Sequence, residues 1–471
     1  MKVKKLLKNL SYSVLANGSN TFISMLLVLF VPKVLGIKEY SYWQLYLFYS
    51  SYIGFLHFGW ADGVYLRFGG KKYEELDKEY FTRQFWLLTF AEFVICLLIN
   101  IFANFGISDS DKHTVISAVS LCCILQIPRT FLQYILQTTN RIVDYARNYL
   151  FEKIIYACLV IICLAFGYRE YKLLIGADLF ARGVTLILLS HECKDIIFRK
   201  ISNLINGFGE AWINVTVGIK LMFANIASQL LLGIVRWTIQ NHWSVETFGK
   251  VSLSITASNL LITFISAVSI VLYPMLKNIS MDKYVDIYIK IRNVLMIFVL
   301  GLLIIYYPAR VILSWWLPQY ADSLKYMALL FPMCVFESKM TMLVNTYLKV
   351  LRKEKAIMFI NWGSVIFTLM TAGVLVYGMD NLVLAIASLT ILIGIRCSAG
   401  EILISRYLNY SLWKDMAAEW GLSLLFIISG WFFDSWLMVV IYGTAYVCYL
   451  FWKRKTFSDI VEIMRKVLRT K

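Results

Sequence analysis

Residues 217–276 read VGIKLMFANIASQLLLGIVRWTIQNHWSVETFGKVSLSITASNLLITFISAVSIVLYPML. Two apolar runs, 217–240 and 250–276, flank a short polar hinge from Gln240 to Lys250. Each run is long enough to cross a hydrocarbon core of about 30 Å, which takes roughly 20 helical residues. One arginine, Arg236, lies inside the first run. A guanidinium at the bilayer centre costs at least about 2.5–3.5 kcal/mol on insertion scales, so it is expected to face a protein interior or a wet cavity.

The same layout recurs at the start of the chain. A shift of 208 positions places Ala16-Asn17 on Ala224-Asn225 and the hinge Leu35–Ser41 on Trp243–Gly249. Leu45, Ser50 and Tyr65 then meet Leu253, Ser258 and Tyr273 without a gap. Identity is little above chance. The shared pattern is an Ala-Asn pair, a span, an acidic-aromatic hinge and a second span, and it points weakly to two related halves.

Composition agrees with a membrane reading. Of 471 residues 59% are hydrophobic and 16% charged, with a mean hydropathy of +0.67, a balance that an ordinary soluble globule does not carry. The basic start, Lys2 to Lys8, has no nearby small-residue cleavage site, so the first apolar run is expected to be a span and not a cleaved leader. The nine cysteines include no C-x-x-C and read as small buried hydrophobes, with neither disulfides nor a metal site expected.

Fourteen apolar spans are predicted, near 11–32, 42–66, 84–105, 114–139, 148–168, 173–192, 217–240, 250–276, 293–315, 324–348, 356–378, 381–404, 416–433 and 435–452. The net charge of +17 sits mainly in short loops, so it predicts orientation and no nucleic-acid partner. The N-terminal segment, the loops 67–83, 141–147, 194–200, 277–292, 349–355 and 406–414, and the tail 453–471 hold 31 lysines and arginines, against 7 in the opposite loops. That asymmetry predicts both termini in the cytoplasm. The expected organisation is a six-helix bundle (1–192), a cytoplasmic amphipathic linker (193–216), a second six-helix bundle (217–404), an extra transmembrane hairpin (405–452) whose stretches 421–433 and 435–452 carry no charge and suit a lipid-facing addition, and a basic tail (453–471) with a surface helix over Phe457–Leu468.

Several charges lie where hydrocarbon should be. Arg129, Arg182, Arg236, Lys339 and Arg396 lie well inside spans, and Lys220 lies near an end. Together they suggest a cationic interior for an anionic head group such as a diphosphate, which arginine matches bidentately. The competing reading is a set of structural ion pairs with Glu92, Asp178, Glu337 and Glu401; Glu152 and Lys153 also fall within a span. Asp178 and Arg182, four apart on one helix face, are expected to pair. Glu337 and Lys339 are two apart, point to different faces and cannot neutralise each other. Arg236 has no acid three or four positions away on its own helix. Asp62 and Arg310 lie near span ends, where snorkelling is an alternative. Glu92, Asp178, Glu337, Glu401 and Asp62 are the candidates for binding a proton or sodium ion.

Enzyme chemistry finds little support. No G-x-x-x-x-G-K-[ST] or H-E-x-x-H occurs, and His57, His113, His191 and His242 are scattered. Asp109 and Asp111 fall on the predicted outer side, where they cannot serve a cytoplasmic glycosyltransferase. No enzyme activity and no cofactor is expected.

Three stretches carry a resemblance: VLGIKEYSYWQLYLFYSSYIGFLHFGW at 34–60, FGKVSLS at 248–254 with ISAVSIVLYPML at 265–276, and WWLPQYADSLKYMALLFPMCVFESKMTMLVNTYLKVLRKEK at 315–355. With these the chain resembles the polysaccharide (Wzx-type) flippases of the multidrug/oligosaccharidyl-lipid/polysaccharide (MOP) exporter superfamily. The resemblance implies an all-α protein of two six-helix bundles in a V (the MATE-like shape) in the cytoplasmic membrane of a bacterium. It implies alternating access that moves an undecaprenyl-diphosphate-linked oligosaccharide, as in exopolysaccharide, capsule or O-antigen synthesis, from the inner to the outer leaflet. Its partners would then be membrane lipids and the glycosyltransferases and polymerase of the same pathway. The first hinge has Tyr40-Ser41 where the family favours Tyr-Gly; the second keeps Phe248-Gly249. Drug-exporting relatives often carry an acid in span 1, and this span has none. The alternatives are a multidrug exporter of that superfamily and, from another class, a polytopic glycan polymerase or acyltransferase.

Overall fold

The computed structural model describes residues 18–19, 21–200, 204–277, 284–433 and 436–454, with backbone alone at 204–206, 261 and 263–277. The expected helix Phe457–Leu468 and the basic start lie outside the described residues. Every described element is helical. Among the described residues nine helices are long and apolar enough to cross a membrane, and Thr21–Val34 and Leu437–Trp452 are shorter apolar helices. The chain forms two compact units, Met1–Ile226 and Ala227–Lys471.

Unit 1 begins with α1 (Thr21–Val34). The predicted single span 42–66 is broken into α2 (Ile37–Ser50), one tight turn at Ile53–Phe55, and α3 (Trp60–Phe68). Two hydroxyls bond carbonyls at the stop. Ser50 Oγ donates to Tyr46 O and Ser51 Oγ to Phe48 O at 2.7 Å, drawing carbonyls out of the helical ladder. Left-handed residues follow, Phe58 (φ 50°) and Gly59 (φ 82°), and they redirect the chain before α3 restarts.

Four long helices complete the bundle: α4 (Lys78–Gly106), α5 (Ser110–Thr138), α6 (Ile142–Ala165) and α7 (Tyr171–Glu192). Asp77 and Asp109 cap α4 and α5, each accepting two backbone N–H groups that would otherwise be orphaned. Pro128 sits inside α5 without ending it.

After the single turn α8 (Lys194–Ile197) comes α9 (Leu204–His242), a 39-residue helix. The expected linker and the seventh span are therefore one helix from residue 204. The polar residues of its first part are taken up by α4. Arg83 bonds Glu210 at 2.8 Å, and Asn214 Nδ2 donates to Tyr80 Oη at 2.7 Å and to Gln84 Oε1 at 3.1 Å. Small residues let α3 and α9 nearly touch. A Cβ on Gly63 would stand 1.9 Å from Asn214 O, and one on Gly218 would stand 2.0 Å from Gly59 O. This is the close small-residue crossing that suits helices in lipid, where apolar burial gives no drive to associate.

Unit 2 continues with α10 (Val245–Lys277), α11 (Tyr284–Leu302), α12 (Tyr306–Trp316) and the single-turn α13 (Ala321–Leu324). Its centre is the stretch Met327–Val350, whose apolar window is 89% buried. It is assembled from α14 (Met327–Leu330), α15 (Met333–Lys339), a π-helical turn at Met340–Val344 and α16 (Asn345–Val350). Pro332, which lacks an N–H, separates α14 from α15. Around it lie α17 (Glu354–Ala372) and α18 (Leu382–Leu408).

The last two helices, α19 (Trp413–Phe432) and α20 (Leu437–Trp452), are more than a lipid-facing addition. Phe426 of α19 packs on Tyr306 at 5.3 Å and Tyr442 at 5.3 Å. Tyr442 and Tyr446 of α20 donate to the α11 carbonyls of Leu300 and Ile297 at 2.9 and 2.7 Å. The outer faces, with Leu424, Ile428, Val440 and Val447, stay exposed. Six of the nine cysteines are buried as expected; Cys158 and Cys448 are exposed and Cys163 is half-buried.

Candidate functional site

The intramembrane charges gather into two clusters, one per unit. In unit 1 four helices contribute. Arg182 of α7 binds Asp178, one turn earlier, at 2.6 Å, the pair that the spacing predicted. Tyr46 of α2 donates to the same carboxylate at 2.6 Å. Gln126 of α5 bridges two cations, accepting from Arg182 at 2.6 Å and Arg129 at 2.8 Å. Arg129 also pairs with Glu152 of α6, beside which stands Lys153 at 3.6 Å. Arg129, Glu152 and Asp178 are buried, while Arg182 and Lys153 are partly exposed. Three cations thus meet two carboxylates.

In unit 2 the charges balance. Arg292 of α11 and Lys339 of α15 face Glu401 of α18 and Glu419 of α19, with all four at most 1% exposed. Lys339 Nζ lies 2.5 Å from Glu401 and 2.6 Å from Glu419. Arg292 pairs with Glu401 through Nε and reaches Glu419 at 2.8 Å and Asp415 at 3.5 Å. Lys453, just past α20, closes on Asp415 at 2.6 Å and on Asn293 at 3.0 Å. A separate pair joins buried Arg396 of α18 to Glu337 of α15 at 2.5 Å. Glu337 and Lys339 point to different partners, as their two-residue spacing predicted. The π turn begins at the residue after Lys339, where it re-aims the chain, a common setting for functional groups.

The remaining candidates lie apart. Arg236 of α9 is half-buried; its guanidinium donates to Ser252 at 3.0 Å and lies 5.3 Å from the Phe248 ring centroid, both on α10. Lys220 is exposed on α9. Arg310 lines a cavity of about 310 Å³ with Tyr306, Tyr307, Gly430 and Trp436. Glu92 of α4 is buried and accepts from the Cys123 thiol at 3.0 Å. Asp62 lies in the first turn of α3, beside His57 at 3.8 Å. Among the described residues Glu92 and Asp62 form no ion pair with a lysine or arginine.

Arg292, Glu419, Asp415 and Lys453 were not among the sequence candidates. Arg292 was counted with the basic loop 277–292, yet it is fully buried. Glu419 sits at the edge of a span whose remaining part carries no charge. The signal available was an acid within the thirteenth of the fourteen predicted spans and an arginine one residue before the ninth.

No protein-family model and no curated protein matches the chain. Among solved structures it is similar to the lipid II flippase MurJ in an inward closed conformation, with a TM-score of 0.65, 13% identity, and 94% of this chain and 99% of that chain covered. It is also similar to an inward-facing multidrug resistance MATE family transporter of the MOP superfamily, with a TM-score of 0.57, 12% identity, and 86% and 98% covered. A third match is a eukaryotic MATE transporter, with a TM-score of 0.51, 15% identity, and 88% and 98% covered. At these identities the likeness is one of fold. The chain is an all-α polytopic membrane protein with the fold of MOP-superfamily transporters and flippases.

Proposed function

We propose that this protein is a flippase that moves an undecaprenyl-diphosphate-linked oligosaccharide from the inner to the outer leaflet of a bacterial cytoplasmic membrane by alternating access. The observation that carries the reading is the charge surplus in unit 1. Arg129, Lys153 and Arg182 outnumber Glu152 and Asp178, whereas the quartet of unit 2 is neutral. A diphosphate cannot cross hydrocarbon alone, and its prenyl tail can stay in lipid. A cationic cluster with two partly exposed members, Arg182 and Lys153, lowers the barrier for such a head group. A cationic drug would meet repulsion at the same cluster. The fold shared with a lipid II flippase supports the reading.

Arg236 is the proposed contact of the second half. Its guanidinium is oriented by Ser252 and Phe248, and a charge-assisted contact with phosphate adds about 1.5–3 kcal/mol. Arg236→Ala should therefore slow transport about ten- to a hundredfold, and Arg236→Lys should recover only part, because a point charge cannot chelate as the fork does. The test uses purified protein in liposomes with a fluorescent lipid-linked glycan. The expected result is leaflet exchange with the glycan mass unchanged. An extended or acylated glycan would establish a polymerase or acyltransferase, and efflux of cationic drugs without glycan movement would establish drug export. An Arg236→Ala protein made at normal level and transporting at the parental rate would remove Arg236 from the site.

A further inference from the structure

The break in the second span holds a titratable pair that the charge clusters leave unused. His57 and Asp62 are 4% and 5% exposed, in a segment where the backbone leaves the helix and returns to it. Irregular backbone at membrane depth is tolerated where protein covers it or a cavity wets it, and every N–H must find an acceptor. Most of the break is closed by short-range bonds: Tyr52 N to Tyr49 O at 3.1 Å, Phe55 N to Tyr52 O at 3.0 Å, Phe58 N to Phe55 O at 3.1 Å and Trp60 N to His57 O at 2.8 Å. Gly59 N is different. It donates to the imidazole Nδ1 of His57 at 3.0 Å. That bond requires an unprotonated Nδ1, so the neutral ring carries its hydrogen on Nε2. Nε2 stands 3.8 Å from Asp62 Oδ2, beyond a hydrogen bond and within ion-pair range.

The surroundings supply no competing charge. From α5, Tyr134 lies near Asp62 and packs on Tyr65 at 5.4 Å. From α4, Gln84 accepts from Trp60 at 2.8 Å. Arg67, a turn further along α3, is taken by Tyr80 at 3.1 Å and by Asn214 of α9. Gly59 is pressed against α9, where an added Cβ would meet Ile219 N at 2.5 Å. Lys220 follows Ile219, with its side chain exposed. Among the described residues no lysine, arginine or second acid pairs with either His57 or Asp62.

We propose that His57 and Asp62 form a proton-binding site built into the broken span. The proton adds to the Nδ1 lone pair; Nε2–H stays toward Asp62, and the neutral ring beside a carboxylate becomes an imidazolium beside a carboxylate. No other bond is made or broken covalently. A hard metal cation takes several oxygen ligands, and here a single carboxylate stands beside the ring, so the donor set suits a proton. Protonation removes the acceptor of Gly59 N–H. The left-handed turn at Phe58-Gly59 then loses one of its closing bonds, while Trp60 N–H still donates to His57 O at 2.8 Å. Its use in driving transport rests on the flippase reading; the site itself does not.

The test is nitrogen NMR of full-length protein, isotope-labelled at histidine, in lipid nanodiscs. His57→Gln identifies the His57 signal among the four histidines. The expected result is a neutral Nε2–H tautomer at about pH 8 that becomes doubly protonated as the pH is lowered. In Asp62→Asn the midpoint should fall by at least about one pH unit, tenfold in proton affinity, because a facing carboxylate favours the cation. An imidazole that stays neutral throughout in the parent protein, or an unchanged midpoint in Asp62→Asn, overturns the site. A protein that titrates as described but moves no lipid-linked glycan would sink the flippase reading alone. One that moves glycan while His57 stays neutral would sink this site alone.

Discussion

Glu419→Gln is the sharpest perturbation of unit 2. The amide keeps the size of the side chain and removes its charge. Lys339 loses its carboxylate partner at 2.6 Å and Arg292 its partner at 2.8 Å, while both cations stay buried with Glu401 alone. Removing one partner of a buried pair costs about 3–5 kcal/mol, because the other charge is left uncompensated in a medium that cannot solvate it. That is a fifth or more of the roughly 5–15 kcal/mol by which a folded domain is stable. Thermal unfolding of the detergent-purified protein, followed by tryptophan fluorescence, reads the loss; Trp420 adjoins Glu419 and bonds Ser398 of α18 at 2.9 Å. The companion variant Lys339→Met/Glu419→Leu removes one charge of each sign and leaves Arg292 with Glu401. It should regain most of the loss, since apolar replacement of a buried pair is often neutral or stabilising by about 1–4 kcal/mol. A Glu419→Gln protein that melts with the parent, or a double variant that melts below the single one, would refute the account of this quartet.

Three further outcomes can be checked directly. Gly63→Ala should lose at least about 1–3 kcal/mol by overpacking against Asn214, whereas Gly209→Ala, with nothing within 4 Å, should gain about 0.5–1 kcal/mol; unfolding temperatures of the two separate close packing from helix propensity. Asp195 is partly buried, which raises its pKa, but the Tyr73 hydroxyl and the Lys78 ammonium hold its carboxyl below the usual range. A depressed folded value gives stability that is present above the unfolded value near about 3.9 and is lost as pH falls through the folded one, so Asp195→Asn should flatten the acid limb of unfolding while changing neutral stability by less than about 1 kcal/mol. Finally, single cysteines at Ser108 or Ser110 in a cysteine-free background should react with an impermeant maleimide in intact cells, and those at Ser280 or Ser458 only after permeabilisation; labelling at 280 would invert the orientation.

Spans were legible because apolar length is a property of contiguous residues. The Asp178–Arg182 pair was legible for the same reason, since both groups lie on one helix face. The partners of Lys339 and Arg396 were not, because Glu401, Glu419 and Glu337 reach them from other helices and no spacing rule links them. Arg292 was hidden by its basic neighbours, which made it look like loop. The break at Ser51 to Gly59 was hidden by its composition: Tyr, Ile, Phe and Leu continue through it as they would through a span. Ser50-Ser51, Gly54 and Gly59 within ten residues were the available signal. The continuity of α9 was obscured by its first part being polar on one side, which reads as a surface helix until α4 is seen to supply the partners.

The quartet in unit 2 also sets an order of events in synthesis. Arg292, Lys339 and Glu401 leave the ribosome before Glu419. Until α19 arrives, two cations destined for the interior share one carboxylate, and the nascent bundle carries a positive charge that lipid penalises. The last hairpin neutralises it, and Lys453 then secures Asp415 at the end of α20. The growing chain is thus chemically different before and after α19 and α20: first a bundle with an unmet charge, then a neutral one.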